Sequence, residues 1–341
     1  MSATEAHRHG GALDAAIARY GGRREDWLDL STGINPVPPP LPELAPELWT
    51  RLPDAGLEDE ALSAARRFYG VTQADAIVAA PGTQALISTL PHLFAPTRVA
   101  VVSPTYAEHA GGFCAAGHDV RRMATLDDLD AGTRILVVVN PNNPDGRSYK
   151  RTALLRLRDE MAVRDGLLIV DEAFIDPDPG ESLAGEAGRP GLLVYRSFGK
   201  FFGLAGLRLG FALTEPDLAA RLASRFGPWA VSGPALAIAK AMLDESVAAT
   251  VRQSLDRQSG ALAAVLERAG LERVGGTTLF QLVRHARAGA LFEALCRRHI
   301  LTRPFTDQPD WLRLGNPADA AAAERLSAAL QDSLTELSRG R

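Results

Sequence analysis

The chain has 341 residues, 46% apolar and 23% charged, with 37 basic against 41 acidic side chains and a net charge of −4. That length and apolar content exclude a single small module and a disordered chain, and suit two packed domains. The slight acidic balance argues against a general binder of nucleic acid or anionic membrane, and two cysteines, Cys114 and Cys296, imply neither a disulfide framework nor a cysteine zinc site.

Residues 12–20 carry a short helical pattern, followed by the turn-rich DLSTGINP and a proline-dense stretch over 36–46. That stretch reads as a PxxP ligand or as a stiff connection; isolated PxxP matches are common, which favours the connection. Residues 57–69 read as an amphipathic helix, acids early and arginines late, as the helix dipole prefers. From residue 76, Val/Ile/Leu runs predict strands at 76–80, 98–103, 134–140, 167–174, 192–198 and 207–213, with helices at 84–94 and 152–164 between them. Runs that are apolar on both faces mark parallel strands covered on both sides. The expected fold class is therefore α/β, a doubly wound, mostly parallel sheet whose ligands bind at the carboxyl ends of the strands.

After about residue 215 the texture changes to Ala-rich helices at 216–226, 234–245 and 247–269. Then come TLFQLVR, a helix near 289–298, ILTRPF, WLRLGNP and a closing helix from about 318. This predicts a smaller α+β C-terminal domain. The expected division is an amino-terminal arm over 1–40, a large domain over 41–225 and a small domain over 226–341. The longest uncharged stretch, 76–97, contains Pro81, Pro91 and Pro96 and reads as strand, turn and helix rather than a membrane span. The start lacks a signal-peptide pattern, and a cytoplasmic location is expected.

The residues just past the strands carry the chemistry. After the first strand, Gly82 and Thr83 open a helix whose free N–H groups either cradle a phosphate or serve only as an ordinary cap. Tyr106, after the second, is placed to stack on a flat ring or simply to be buried. Asn143, in NPNNPDG, offers an amide to a ligand oxygen, although turn chemistry explains most of that segment. Asp171 follows four apolar residues, so its charge needs a partner: a protonated ring nitrogen or one of the many arginines. Lys occurs only at Lys150, Lys200 and Lys240. Lys200 sits among Phe198, Phe201 and Phe202, and a desolvated amine there suits imine formation with an aldehyde. Ser197 and Arg208 flank it as phosphate ligands. One molecule needs all of these groups, pyridoxal 5′-phosphate, whose aldehyde, basic ring nitrogen, phenolic oxygen, ring face and phosphate each find a partner. No H-E-x-x-H motif or Cys/His cluster occurs, so no metal is expected, and a nicotinamide-binding G-x-G-x-x-G is missing from PGTQAL.

PGTQALI, SPTY, NPNNPDG, DEAF and SFGKFFGLAGLRLG, in this order, resemble the fold-type I pyridoxal-phosphate enzymes of the aspartate aminotransferase superfamily, and most closely the histidinol-phosphate aminotransferase branch. The resemblance implies Lys200 as the cofactor-bearing lysine and Asp171 as partner of the pyridine nitrogen. It also implies Asn143 near the ring hydroxyl, Tyr106 on the ring, and Gly82, Thr83, Ser197 and Arg208 at the phosphate. Arg313, in WLRLGNP, matches the arginine that grips the substrate carboxylate. The opening HGGALDAAIARYG with WLDLSTGINP is similar to the amino terminus of the L-threonine-O-3-phosphate decarboxylases of cobalamin biosynthesis. That likeness implies His9, Gly10, Asn35 and Asn143 in the substrate site, and Arg303 beside Arg313 on the two anions of a small phosphorylated amino acid.

The reaction so implied is loss of CO₂ from O-phospho-L-threonine to give (R)-1-aminopropan-2-ol O-phosphate. Lys200, Tyr106 or water would return the proton to Cα. Amino transfer on histidinol phosphate or a related substrate is the alternative, and a binding protein without turnover the remote one. A homodimer is implied as well, with no nucleic acid partner. Two positions depart from the aminotransferase pattern: Phe174 and Leu52 stand where tyrosines are usual, each losing a hydrogen bond worth about 1 kcal/mol net.

Overall fold

A computed structural model describes residues 10–339. The chain forms two compact units: Pro38–Asn143 with Arg147–Val251, and the segment up to Val37 with Pro144–Gly146 and everything from Arg252 onward. In chain order the strands are β1 (Leu28–Asp29), β2 (Ile77–Ala80), β3 (Arg98–Val102), β4 (Asp119–Met123), β5 (Ile135–Val139), β6 (Leu167–Asp171), β7 (Leu192–Ser197) and β8 (Gly210–Thr214). They continue with β9 (Glu272–Thr277), β10 (Phe280–Arg284), β11 (Ile300–Leu301), β12 (Arg303–Pro304) and β13 (Trp311–Gly315).

In the larger unit, seven strands form one sheet in the order β2-β8-β7-β6-β5-β3-β4. β7, β6, β5, β3 and β4 run parallel, and β8 is antiparallel to both β7 and β2. The expected mostly parallel sheet is thus present. Its central strands β5, β6 and β7 are buried at every position, as their Val, Ile and Leu runs require, and burial extends to the polar residues that end β6 and β7. One face packs Val99, Val101, Ile135, Val137, Ile169, Leu193 and Tyr195 into a core, each fully buried aliphatic contributing about 1.5–3 kcal/mol.

Three elements differ from expectation. Strand β8 starts at Gly210 rather than 207, because Ala205–Leu207 make a 3₁₀ turn and Arg208 takes a left-handed φ of 52°. The charged segment DVRRM forms β4, which escaped the apolar-run reading because an edge strand is solvated along one side. The helix placed at 84–94 runs over Thr83–Thr89 and tightens to a 3₁₀ turn at Leu90–Leu93, where Pro91 lacks the amide a further α-turn needs.

The smaller unit has a four-stranded antiparallel sheet, β12-β13-β10-β9, and a short parallel pair, β1 with β11. Leu262, Leu266, Leu291, Leu295, Leu312, Leu326 and Leu330 lie in its core. The grouping differs from boundaries at 40/41 and 225/226. The helix Gly233–Met242 packs on the helix Ala55–Tyr69, so the chain as far as Val251 counts with the larger unit.

Candidate active site

Asp171 ends β6 and is 4% exposed. Its Oδ2 lies 2.8 Å from His109 Nε2, and its Oδ1 accepts the Ala173 amide at 3.0 Å. The partner is therefore a histidine rather than an arginine. His109 is buried on the helix Ala107–Ala115 and stacks on Tyr195, with centroids 6.3 Å apart and planes at 18°. Sequence reasoning missed it: His109 lies 62 residues from Asp171, and its signal was only a histidine in the first turn after SPTY.

Alternation along the strands sends the next residues to the other face. There Glu172, Arg196 and Asp176, all 2% exposed or less, form a buried ion network. Arg196 donates to Glu172 Oε2 at 3.1 Å, to Ser182 Oγ at 3.0 Å and to Asp176 Oδ1, and lies 4.2 Å over the Tyr69 ring. Burial alone would depress the Arg196 guanidinium, but Asp176 and Glu172 outweigh it and hold its pKa above the ordinary value.

Lys200 projects from the short helix Phe198–Phe201 that follows β7. It is half-buried, with Nζ 5.8 Å from the centroid of the Phe174 ring. The expected enclosure by Phe198, Phe201 and Phe202 takes another form. Those three share the i, i+3, i+4 face, are fully buried, and pack on one another at 4.8 and 5.0 Å, while Lys200 lies off that face.

Glycines draw the chain close together at the end of β2. Gly82 caps the helix Thr83–Thr89 with a φ of +87°, and a Cβ there would sit 2.7 Å from Arg208 Nη2. A Cβ on Gly210 would meet the Thr83 amide at 2.5 Å, and Gly210 is the register partner of Ser197. Gly82, Thr83, Ser197 and Arg208 are thereby brought together, and only glycines permit the approach. Tyr106 donates to Gln84 Oε1 at 2.8 Å, with its ring edge-on to His109 at 6.1 Å. Asn140 and Asn142 are buried and brace their turn, Asn140 on Tyr149 and Asn142 on Thr105 and Pro104, whereas Asn143 is half-buried.

Of the residues expected at the substrate, Asn143 belongs to the larger unit, and Gly10, Asn35, Arg303 and Arg313 to the smaller one. Arg303 on β12 and Arg313 on β13 are direct cross-strand partners. Two like charges so placed repel. Arg313 is 6% exposed, donates to Ser31 O at 2.8 Å and lies 5.1 Å over the Phe280 ring. Burial, with Arg303 adding to it, pushes the Arg313 pKa down to about 9. Asn35 is 1% exposed and accepts the Val37 amide at 2.9 Å, so its carbonyl side serves a turn. Gly10 packs against Ser31, whereas His9 lies outside the described residues.

The larger unit's set suits a ligand with a phosphate, a basic ring nitrogen and an aldehyde. Among the described residues no group of His, Cys, Asp and Glu could hold a metal ion, and no helix is long and apolar enough to cross a membrane.

A threonine-phosphate decarboxylase of Sinorhizobium sp is 51% identical over 324 residues, covering 94% of this chain and 97% of that protein. One from Pseudomonas aeruginosa is 47% identical over 331 residues, covering 94% and 96%. The fold is similar to that of a histidinol-phosphate aminotransferase from Sinorhizobium meliloti solved with pyridoxal-5′-phosphate, with a TM-score of 0.76, 21% identity and 95% of each chain covered. The family model for aminotransferase class I and II matches residues 25–330, and the chain belongs to that family.

Proposed function

We propose that the protein is a pyridoxal 5′-phosphate-dependent carboxy-lyase that converts O-phospho-L-threonine to (R)-1-aminopropan-2-ol O-phosphate and CO₂, supplying the aminopropanol linker of cobalamin. The observation that carries this reading is half-identity, over nearly the whole chain, to two threonine-phosphate decarboxylases. The paired arginines Arg303 and Arg313 support it, because a phosphorylated amino acid brings two anions.

Bound at Lys200, the cofactor supplies an electron sink for a bond broken at the substrate Cα. The side chains determine which bond that is. Asp171, pinned by His109, would be the group that keeps a proton on the ring nitrogen. Gly82, Thr83, Ser197 and Arg208 would hold the cofactor phosphate, Tyr106 its ring face, and Asn143 its phenolic oxygen. By the likeness to threonine-phosphate decarboxylases, Arg313, Arg303, Asn35, Gly10, Asn143 and His9 would bind the substrate, and the grip on its anions would decide whether the carboxylate or the hydrogen is lost.

A dimer belongs to the same reading. Leu41, Trp49, Leu52 and Trp229 are 55–67% exposed. The carbonyl of Leu48 lies 2.8 Å from a Cβ position on Gly233, four residues past Trp229, so the two stretches adjoin. A second copy of the chain covering them would account for the apolar Leu52. The cytoplasm is the proposed location, since a doubly anionic substrate does not cross a bilayer unaided.

The test is product analysis of purified holoenzyme given O-phospho-L-threonine. Release of CO₂ without any 2-oxoacid is expected. Amino transfer to 2-oxoglutarate as the main activity would replace this reading with the aminotransferase one.

A further inference from the structure

Ser31 is 2% exposed, yet its backbone and side chain are fully engaged. Its amide and its hydroxyl both donate to Asp29 Oδ1, at 2.9 and 2.6 Å. The hydroxyl oxygen accepts the Gly11 amide at 2.8 Å, and the carbonyl accepts Arg313 Nη2 at 2.8 Å. The glycine turn is built for this approach. A Cβ on Gly10 would fall inside contact distance of Ser31 O, and Gly11 has a φ of +83°. Gly10 and Arg313 thus converge on one carbonyl oxygen.

The neighbours of Ser31 leave it little freedom. Leu30 N donates to Leu301 O, and Leu30 O accepts from Gly315, both at 2.7 Å. A Cβ on Gly315 would strike Thr32 O. Residues 30–32 are held by backbone, so the carbonyl that aims Arg313 is fixed whatever side chain position 31 bears. The hydroxyl is left with one task, to hold the amino-terminal turn.

We infer that the Ser31 hydroxyl, oriented by Asp29, is a specificity-positioning group that clamps the Gly10–Gly11 turn as a wall of the anion site around Arg313. The inference rests on the substrate reading above. Because the carbonyl survives Ser31→Ala, that change releases the turn without disturbing the aim of Arg313. It therefore affects affinity for a phosphorylated substrate rather than turnover. Losing one hydrogen bond predicts a rise of about threefold to tenfold in KM for O-phospho-L-threonine, with kcat within about twofold.

Ser31→Ala, Asp29→Ala and Asp29→Asn are compared with the unaltered holoenzyme in steady-state kinetics, thermal unfolding and amide hydrogen exchange. Ser31→Ala should raise KM and speed exchange in the peptide covering Gly11, with a smaller change in Asp29→Ala. Asp29→Asn keeps the acceptor oxygen and should behave as the unaltered enzyme. Unchanged exchange at Gly11, unchanged KM in an enzyme that turns over, or equal losses in kcat and stability that Asp29→Asn fails to rescue would each overturn the inference. If the unaltered enzyme does not decarboxylate the substrate, the functional reading fails instead, and Gly11 exchange alone decides the clamp.

Discussion

The larger unit arrays its polar groups on the ends of adjacent strands, whereas the smaller unit gathers its own from distant segments. Asp171, Ser197, Lys200 and Gly82 lie at or just past the ends of strands of one sheet. Parallel pairing of β6 with β7 aligns Asp171 with the end of β7, and the antiparallel β8 between β7 and β2 sets Gly210 against Ser197 and the Thr83 amide. Arg313 and Ser31 are 282 residues apart and meet because residues 30–32 lie against β13. The first arrangement ties a site to the core of a sheet. The second ties it to glycine contacts and a few hydrogen bonds, each worth about 1 kcal/mol. The first is accordingly stiff and suits a permanent cofactor, and the second is adjustable and suits substrate choice.

Substitutions on the two sides should therefore fail differently. The largest effect is expected from Lys200→Ala. It should lose the visible band of lysine-bound cofactor, and turnover should fall on the order of 10³-fold or more. A band that persists and is trapped by borohydride at Lys150 or Lys240 would contradict the assignment. Next comes Arg196→Met, which leaves Glu172 and Asp176 buried without their cation and should cost about 3–5 kcal/mol in urea unfolding. A loss under about 1 kcal/mol would show that the network does not brace the strand ends.

The smallest effect is one of pH. An anion bound at Arg313 needs the guanidinium protonated, and its pKa is pushed down to about 9. Between about pH 7, where the substrate phosphate is already largely ionised, and about pH 9 the group is charged and affinity should be flat. Above it, affinity should fall by up to about tenfold per pH unit. A KM that stays flat well past pH 9 would remove Arg313 from the substrate or show it fully compensated.

How much could be read in advance follows the same division. The strands at 98–102, 135–139, 167–171 and 192–197 were legible because double-sided burial writes itself as continuous Val, Ile and Leu. Asp171 was legible because a charge directly after such a run needs a reason, and Lys200 because it is one of three lysines and sits among phenylalanines. His109 was not, since a buried histidine is explained only by the carboxylate it meets, and that carboxylate comes from another element. Arg196 reads as one arginine among many until pairing sets it beside Glu172. β4 was missed because an edge strand has half its surface in water and half an apolar pattern. Arg303, Arg313 and the glycine turn came into view only through likeness to a known family, because nothing local marks residues whose partners lie at the far end of the chain.

The opposed arginines on β12 and β13 also bear on how the enzyme is handled at the bench. Arg303 and Arg313, on directly opposed strand positions, bring two cations close together where a small oxyanion could bind. Orthophosphate in a buffer would settle there, raise the melting temperature and slow the assay as a competitor. Kinetics recorded in phosphate would then report the salt as much as the catalyst, and a zwitterionic sulfonate buffer would be the better medium.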